Sequence, residues 1–295
     1  MSDLNLNNQE SLSLAIKKII VFFDLFDYPL TRYEIFNYLE QKFLLTDIIF
    51  VLDSLTDIFE NKNGFYFLKG REEIIKLRQA RYNYSVRKLK IARFFARIFS
   101  LLPFIKVVAL VNVMGAHNMR DEGDIDFFIV SSPGRLWLSR LFCAGLAKIL
   151  NKRPTEYIKR DKLCLSFYLS ADNLNLESLK IKPSDPYLDY WPKTIVLLYN
   201  QERVYENFLA ANKLLNSANQ ELLFTKSMAK KRKAILDILE LIAKKWQLKI
   251  MSPALKQVLI SSQGKFINDQ ILKLHWRDLN AEILEKFNYA LNKIS

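Results

Sequence analysis

Asp124 and Asp126 stand one residue apart at the head of an apolar run, Gly123-Asp-Ile-Asp-Phe-Phe-Ile-Val130. Successive side chains of a strand point to opposite faces, so the two acids share one face and Ile125 takes the other. Two carboxylates set against Phe127, Phe128, Ile129 and Val130 repel each other and lose solvation. A cation between them relieves both penalties. Hard divalent ions prefer oxygen ligands, so the pair predicts Mg2+ or Mn2+ as cofactor, with Asp124 and Asp126 as its ligands. In an extended strand their Cα atoms lie about 6.6 Å apart, near enough for both side chains to reach one ion. Such pairs serve in-line phosphoryl displacement, where bound metal neutralises charge on the attacking and leaving oxygens.

A small sheet must hold these acids. An apolar strand is predicted over 106–114 (KVVALVNVM), then a polar loop over 115–123, and the acid-bearing strand over 124–130. Ser131-Ser132-Pro133-Gly134 turns the chain into an amphipathic helix over 135–150. A basic loop containing Lys152, Arg153, Lys159, Arg160 and Lys162 leads to a third strand, LCLSFYL, over 163–169. Simple alternation there puts Cys164, Ser166 and Tyr168 on one face and Leu163, Leu165, Phe167 and Leu169 on the other.

Residues 1–10 read as a flexible tail. The run from Ser11 is helical until Tyr28-Pro29, because the residue before proline is pushed out of helical space. Thr31 and Glu34 form a capping box that opens a second helix, and a third starts at Thr46. Asn63-Gly64 then marks a hairpin. Three helices and a hairpin make a winged-helix-like module over 11–70. Its third helix carries Asp47, Asp53, Asp57 and Glu60 without a cation, which suits a protein partner better than phosphates. A long basic helix connects this module to the core over 71–103. Leu77, Tyr84, Ile91 and Ile98 recur every seven residues as an apolar seam. Arg71, Lys76, Arg78, Lys90, Arg93 and Arg97 lie on the other side, as a solvated face or a track for RNA or DNA. The core occupies 104–172, and 173–295 reads as a helical C-terminal domain. The fold class is α+β, with a small mixed sheet flanked by helical regions.

Strand, polar loop, then Asp-x-Asp opening a second strand resembles the DNA polymerase beta nucleotidyltransferase superfamily. The segments FDLFDYPLTRYEIFNYL, LYNQERVYENFLAANKLL and LHWRDLNAEIL resemble bacterial proteins in which a winged-helix module precedes a nucleotidyltransferase domain and a helical tail. In that superfamily a Gly-Ser pair after the first strand grips the triphosphate, the Asp-x-Asp pair binds metal, and a third carboxylate comes from a later strand. The resemblance therefore implies Asp124 and Asp126 as catalytic and metal-binding residues, and a nucleoside triphosphate as substrate. Aligned without a gap, Asn118 and Arg120 match, and the Gly-Ser place falls on Asn112 and Val113. Aligned with a shorter loop, it falls on Gly115-Ala116. Ser166 takes the third-carboxylate place, with Asp161 and Asp172 as the nearest alternatives. The nucleotide-binding set is then Asn112, Val113, Gly115, Asn118, Arg120 and Ser166.

The net charge of +13 and pI near 9.5 favour polyanionic partners: a nucleoside triphosphate at the site, RNA or DNA along the basic helices. Cys143 and Cys164, both in apolar contexts, fit a reducing compartment rather than a disulfide scaffold. The N-terminus lacks the layout of a signal peptide, and the most apolar window, 98–116, contains Pro103, Lys106 and Asn112. A cytoplasmic protein without a membrane partner is the expectation. Walker-type loops, Gly-x-Ser-x-Gly, His-Glu-x-x-His and dinucleotide fingerprints are absent from the sequence. Two functions follow. The first is transfer of a nucleoside monophosphate to an unidentified hydroxyl acceptor. The second is a catalytically weakened form of the same fold that binds nucleic acid or protein.

Overall fold

The computed structural model describes residues 6–39, 43–111, 118–181, 184–214, 234–253, 256, 266–274 and 279–294. It is a mixed α+β structure whose chain falls into two units. One comprises Met1–Asn83, Ile181–Lys193 and Leu279–Ser295; the other comprises Tyr84–Lys180 and Thr194–Asp278.

In the first unit, helix α1 (Leu6–Asp24) is followed by β1 (Leu30–Thr31), α2 (Arg32–Tyr38), α3 (Leu45–Ser54) and the hairpin β2 (Phe59–Lys62) and β3 (Phe65–Leu68). The helix begins at Leu6, so residues 6–10 belong to it rather than to a tail. Asn63 and Gly64 both adopt positive φ (54° and 79°), the backbone that a tight hairpin turn demands. The three strands pair in the order β1-β3-β2. The capping box at Thr31 and Glu34 is complete, and Arg78 holds the Glu34 carboxylate with two 2.9 Å hydrogen bonds. Helix α1 buries Ile16, Ile19, Ile20, Phe22 and Phe23; Phe23 packs on Tyr38 at 4.4 Å and Phe22 on Tyr190 at 4.7 Å. Tyr190 belongs to α6 (Pro186–Tyr190), and Phe287, on the last helix (Leu279–Asn292), packs in the same cluster.

The second unit is built on a five-stranded sheet in the order β7-β4-β5-β6-β8. Its strands are β4 (Ile105–Leu110), β5 (Ile125–Ser131), β6 (Leu163–Ser170), β7 (Val196–Asn200) and β8 (Ile271–Lys273). Only β5 and β6 run parallel, joined by helix α5 (Leu136–Ile149), the crossover that a parallel pair requires. One face of the sheet carries Val108, Leu110, Ile125, Phe127, Ile129, Leu163, Leu165 and Tyr168. They share a core with Phe95 and Phe99 of α4 (Glu73–Phe99), Trp137 and Cys143 of α5, and Ala243 of α8 (Ala234–Lys249). On the other face Phe128 meets Phe167 at 5.1 Å and Phe208 of α7 (Val204–Ala211) at 5.4 Å.

Four further expectations are corrected. First, strict alternation fails in β6. Asp126 pairs with Cys164 but Phe128 pairs with Phe167, so β6 carries one extra residue there. This bulge sends Tyr168 into the core with Leu163 and Leu165, and turns Phe167 toward the face of Asp126. Second, 173–295 is not a separate helical domain. Strands β7 and β8 join the sheet, while α6 and the final helix, α9 (Leu279–Asn292), fall in the first unit. A short apolar run such as Ile195-Val-Leu-Leu-Tyr199 carries no period that tells strand from buried helix. Third, the buried stripe of α4 is not the heptad seam. It runs through Ile74, Arg81, Ser85, Lys88, Ala92, Phe95 and Phe99, while Leu77 is exposed. Helix α3 likewise stops at Ser54, short of the predicted end. Among the described residues no helix is long and apolar enough to cross a membrane.

One ion pair in the first unit is geometrically poor. Asp24 Oδ1 lies 3.7 Å from Arg71 Nε, and neither atom has a hydrogen-bond partner. Burial pushes the Asp24 carboxyl up to about 6, against the pull of Arg71 and with help from Asp27 and Glu73. A folded-state value above the unfolded one makes ionisation costly, so stability falls as pH rises from about 4 to about 6. Asp24→Asn should therefore be more stable than the wild type at pH 7.5 by about 1–3 kcal/mol, and so unfold at a higher temperature, with the gap closing near pH 4. Thermal melts at both pH values check this; a gap that does not change with pH contradicts it.

Candidate metal centre

The site sits where β5 and β6 begin side by side. Asp126 and Cys164 are register partners on parallel strands, so their side chains leave the same face. Asp124 precedes β5 by one residue. One ligand atom each from Asp124, Asp126 and Cys164 falls within 4.8 Å of the others, and all three residues are half-buried. Cys164 Sγ is also 3.1 Å from Ser166 Oγ. Backbone bonds fix the frame: the Ile125 N–H donates to the Lys162 carbonyl at 2.8 Å, and the Val111 N–H donates to the Asp126 carbonyl at 2.9 Å.

Electrostatics mark the acids as crowded. Burial, and then the charge of Asp124, push the Asp126 carboxyl up to about 7, while a hydrogen bond with Cys164 pulls it back. Burial also raises Asp124; its own backbone N–H and the charges of Lys159, Lys88 and Arg153 oppose the rise. Burial, followed by the charges of Asp126 and Asp124, holds the Cys164 thiol well above its ordinary value. Each group disfavours ionisation of the next, a state that a bound divalent cation reverses. Two carboxylates and one thiol within reach of a common point fit such an ion. The sulfur makes the softer Mn2+ a better match than Mg2+.

The predicted nucleotide-binding residues separate. Asn112, Val113 and Gly115 lie outside the described residues, as does Ala116. Asn118 is buried, and the adjacent Met119 N–H donates to Ser85 Oγ at 3.0 Å. Arg120 is exposed, at the start of a turn closed by the Gly123 N–H bond to its carbonyl. Ser166 does flank the acids, but the position opposite Asp126 belongs to Cys164. Neither alternative acid replaces a third carboxylate. Asp161 is bound by Lys88 at 3.0 Å and by Arg87 at 3.2 Å. Asp172 follows the far end of β6, roughly 26 Å of strand from Cys164. Of the basic loop, Arg160 pairs with Asp121 at 3.2 Å and Lys162 donates to the Asn151 carbonyl, so both are engaged in holding loops.

Two residues escaped sequence reasoning. Cys164 sits in an apolar strand and reads as core; only the register of β6 against β5 reveals its face. Lys88 is fully buried, and its signal was available: it falls three residues after Ser85 and four before Ala92, a cation on the buried stripe of α4. Compared with known proteins, the chain matches no family model, no curated protein and no solved structure.

Because an ion binds the carboxylate and not the acid, its affinity must rise with pH while Asp126 is still titrating. A group titrating near 7 predicts about tenfold tighter Mn2+ binding at pH 8 than at pH 6. Calorimetric titration at the two pH values checks this, with Asp126→Asn expected to abolish the binding; equal affinities would contradict a ligand role for Asp126.

Proposed function

We propose that this chain is a metal-dependent nucleotidyltransferase that moves a nucleoside monophosphate from a triphosphate to an acceptor hydroxyl. In this reading the sheet of the second unit is a nucleotidyltransferase-like core and the first unit a winged-helix-like module. The observation that carries it is the convergence of Asp124, Asp126 and Cys164 on one face, at the adjoining ends of two parallel strands. Asp124 and Asp126 would hold Mg2+ or Mn2+, with Cys164, its proton released on binding, as the third donor. A divalent ion there would supply charge neutralisation for the phosphoryl oxygens.

The chain's own residues divide the remaining work. Lys159 and Arg153, whose charges reach Asp124, provide positive potential for the triphosphate beside the acids. The exposed Arg120 adds to it, and Asn112, Val113 and Gly115 remain the segment assigned to the phosphates by resemblance. A thiol held in its neutral form cannot accept a proton, so Cys164 does not replace the missing third carboxylate as base. Helix α4 exposes Lys90, Arg93 and Arg97, a surface for an RNA or DNA acceptor. Around α3, Asp53 and Phe50 are exposed, which favours a protein partner over phosphates.

A second reading is favoured by one observation, the thiol in place of a third carboxylate: a weakened fold that binds nucleic acid or protein without catalysis. The two readings diverge in a transfer assay with Mg2+ or Mn2+, labelled nucleoside triphosphates, and bulk RNA or the protein itself as acceptor. The wild type should incorporate label, more with Mn2+ than with Mg2+, and the Asp124→Ala, Asp126→Ala double variant should not. Absence of transfer, together with calorimetry showing no metal-dependent triphosphate binding, would assign the chain to the second reading.

A further inference from the structure

Lys88 is fully buried inside α4, an expensive place for an ammonium group. Its Nζ donates to the Gly123 carbonyl at 2.6 Å and to Asp161 Oδ1 at 3.0 Å. These are two different segments. Gly123 precedes Asp124, so fixing its carbonyl fixes the peptide plane through which Asp124 enters the site. Asp161 precedes Lys162, whose carbonyl binds the Ile125 N–H at the head of β5, and Leu163 starts β6. Asp161 is itself in left-handed backbone (φ 56°), a conformation that needs outside support in a residue other than glycine. One helical turn before Lys88, Ser85 Oγ accepts from the Met119 N–H. The same face of α4 thus holds residues 118–124, the described segment that leads into β5, at Met119 and at Gly123.

We propose that Lys88 is the positioning residue of the acidic pair: it locks the Gly123–Asp124 peptide and the β6 entry together, so that Asp124, Asp126 and Cys164 converge. This rests on the reading of that cluster as a metal site. By charge alone, removing a buried cation beside Asp124 should tighten the binding of a divalent cation. Removing a tether should loosen it, and a lysine that only stabilises the fold should leave the folded protein's affinity unchanged.

The test is Mn2+ binding to the full chain, followed by the electron paramagnetic resonance signal of the free ion, well below the melting temperature. Lys88→Met should weaken binding about tenfold or more, in the range usual for lost outer-sphere support, and Lys88→Arg should restore part of it. Because Lys88→Met leaves Asp161 with Arg87 alone, the Lys88→Met, Asp161→Asn double variant removes the carboxylate together with its lysine. Asparagine also tolerates left-handed backbone. It should show the same weakening. Either variant binding Mn2+ as tightly as the wild type, or more tightly, overturns the positioning role while leaving the metal site intact. A wild type that binds no Mn2+ overturns the metal site itself, and the role of Lys88 with it.

Discussion

Two carboxylates confined to one half-buried space are the constraint around which the second unit is organised. Placing Asp124 and Asp126 on one side of a strand end is cheap in water and costly beside a packed sheet. The surroundings respond in two ways. At Asp124, Lys88, Lys159 and Arg153 supply positive charge. At Asp126 the opposing influence is a thiol hydrogen bond, and the carboxyl is left titrating near neutrality. The two acids therefore differ: at Asp124 nearby cations oppose the rise that burial causes, while Asp126 is left titrating near pH 7.

The parallel pairing of β5 and β6 makes this proximity possible. Parallel neighbours begin at the same edge of a sheet, so residues from the two strand entries meet there, whereas a hairpin would have placed a turn in the same space. Helix α5 provides the return path, and its core-facing residues pin the underside of both strands. The bulge in β6 completes the arrangement. Below it, Cys164 and Ser166 stay with the acids; beyond it, the face is given over to Phe167, packed against Phe128. A change from polar to aromatic lining within a few residues closes one side of the site.

How far the sequence alone reaches depends on what kind of signal each feature leaves. The strands around the acids, helix α5 and the hairpin at Asn63-Gly64 were legible because apolar runs and turn residues act locally. The capping box at Thr31 was legible for the same reason. Strands β7 and β8 were not, since a three- to five-residue apolar run inside helical patterns has no period of its own. The bulge left no residue-level mark, and with it went the correct faces of Tyr168 and Phe167. The acidic pair was visible at once, but its third member was not. Cys164 looks like core until the register with Asp126 is known, and Lys88 looks like surface until the true stripe of α4 is traced.

On the reading proposed above, a thiol stands where a third carboxylate would, and this bears most directly on what the site can do. A third carboxylate would add negative charge, and the mutual repulsion of three acids would make the empty site still less stable. A thiol that is neutral in the empty site adds no such charge and gives up its proton when it ligates an ion, and the hydrogen bond with Ser166 helps orient it. The consequence is selectivity as much as loss: an oxygen-only site favours hard Mg2+, while two oxygens and a sulfur shift preference toward softer ions. Without any ion, burial and then the charge of Asp124 raise Asp126 toward 7 and lower the stability of the folded chain at neutral pH. Asparagine at 126 would remove that penalty. On the proposed reading the carboxylates are retained for the ion they would bind, and the buried lysine behind them for the geometry that binding requires.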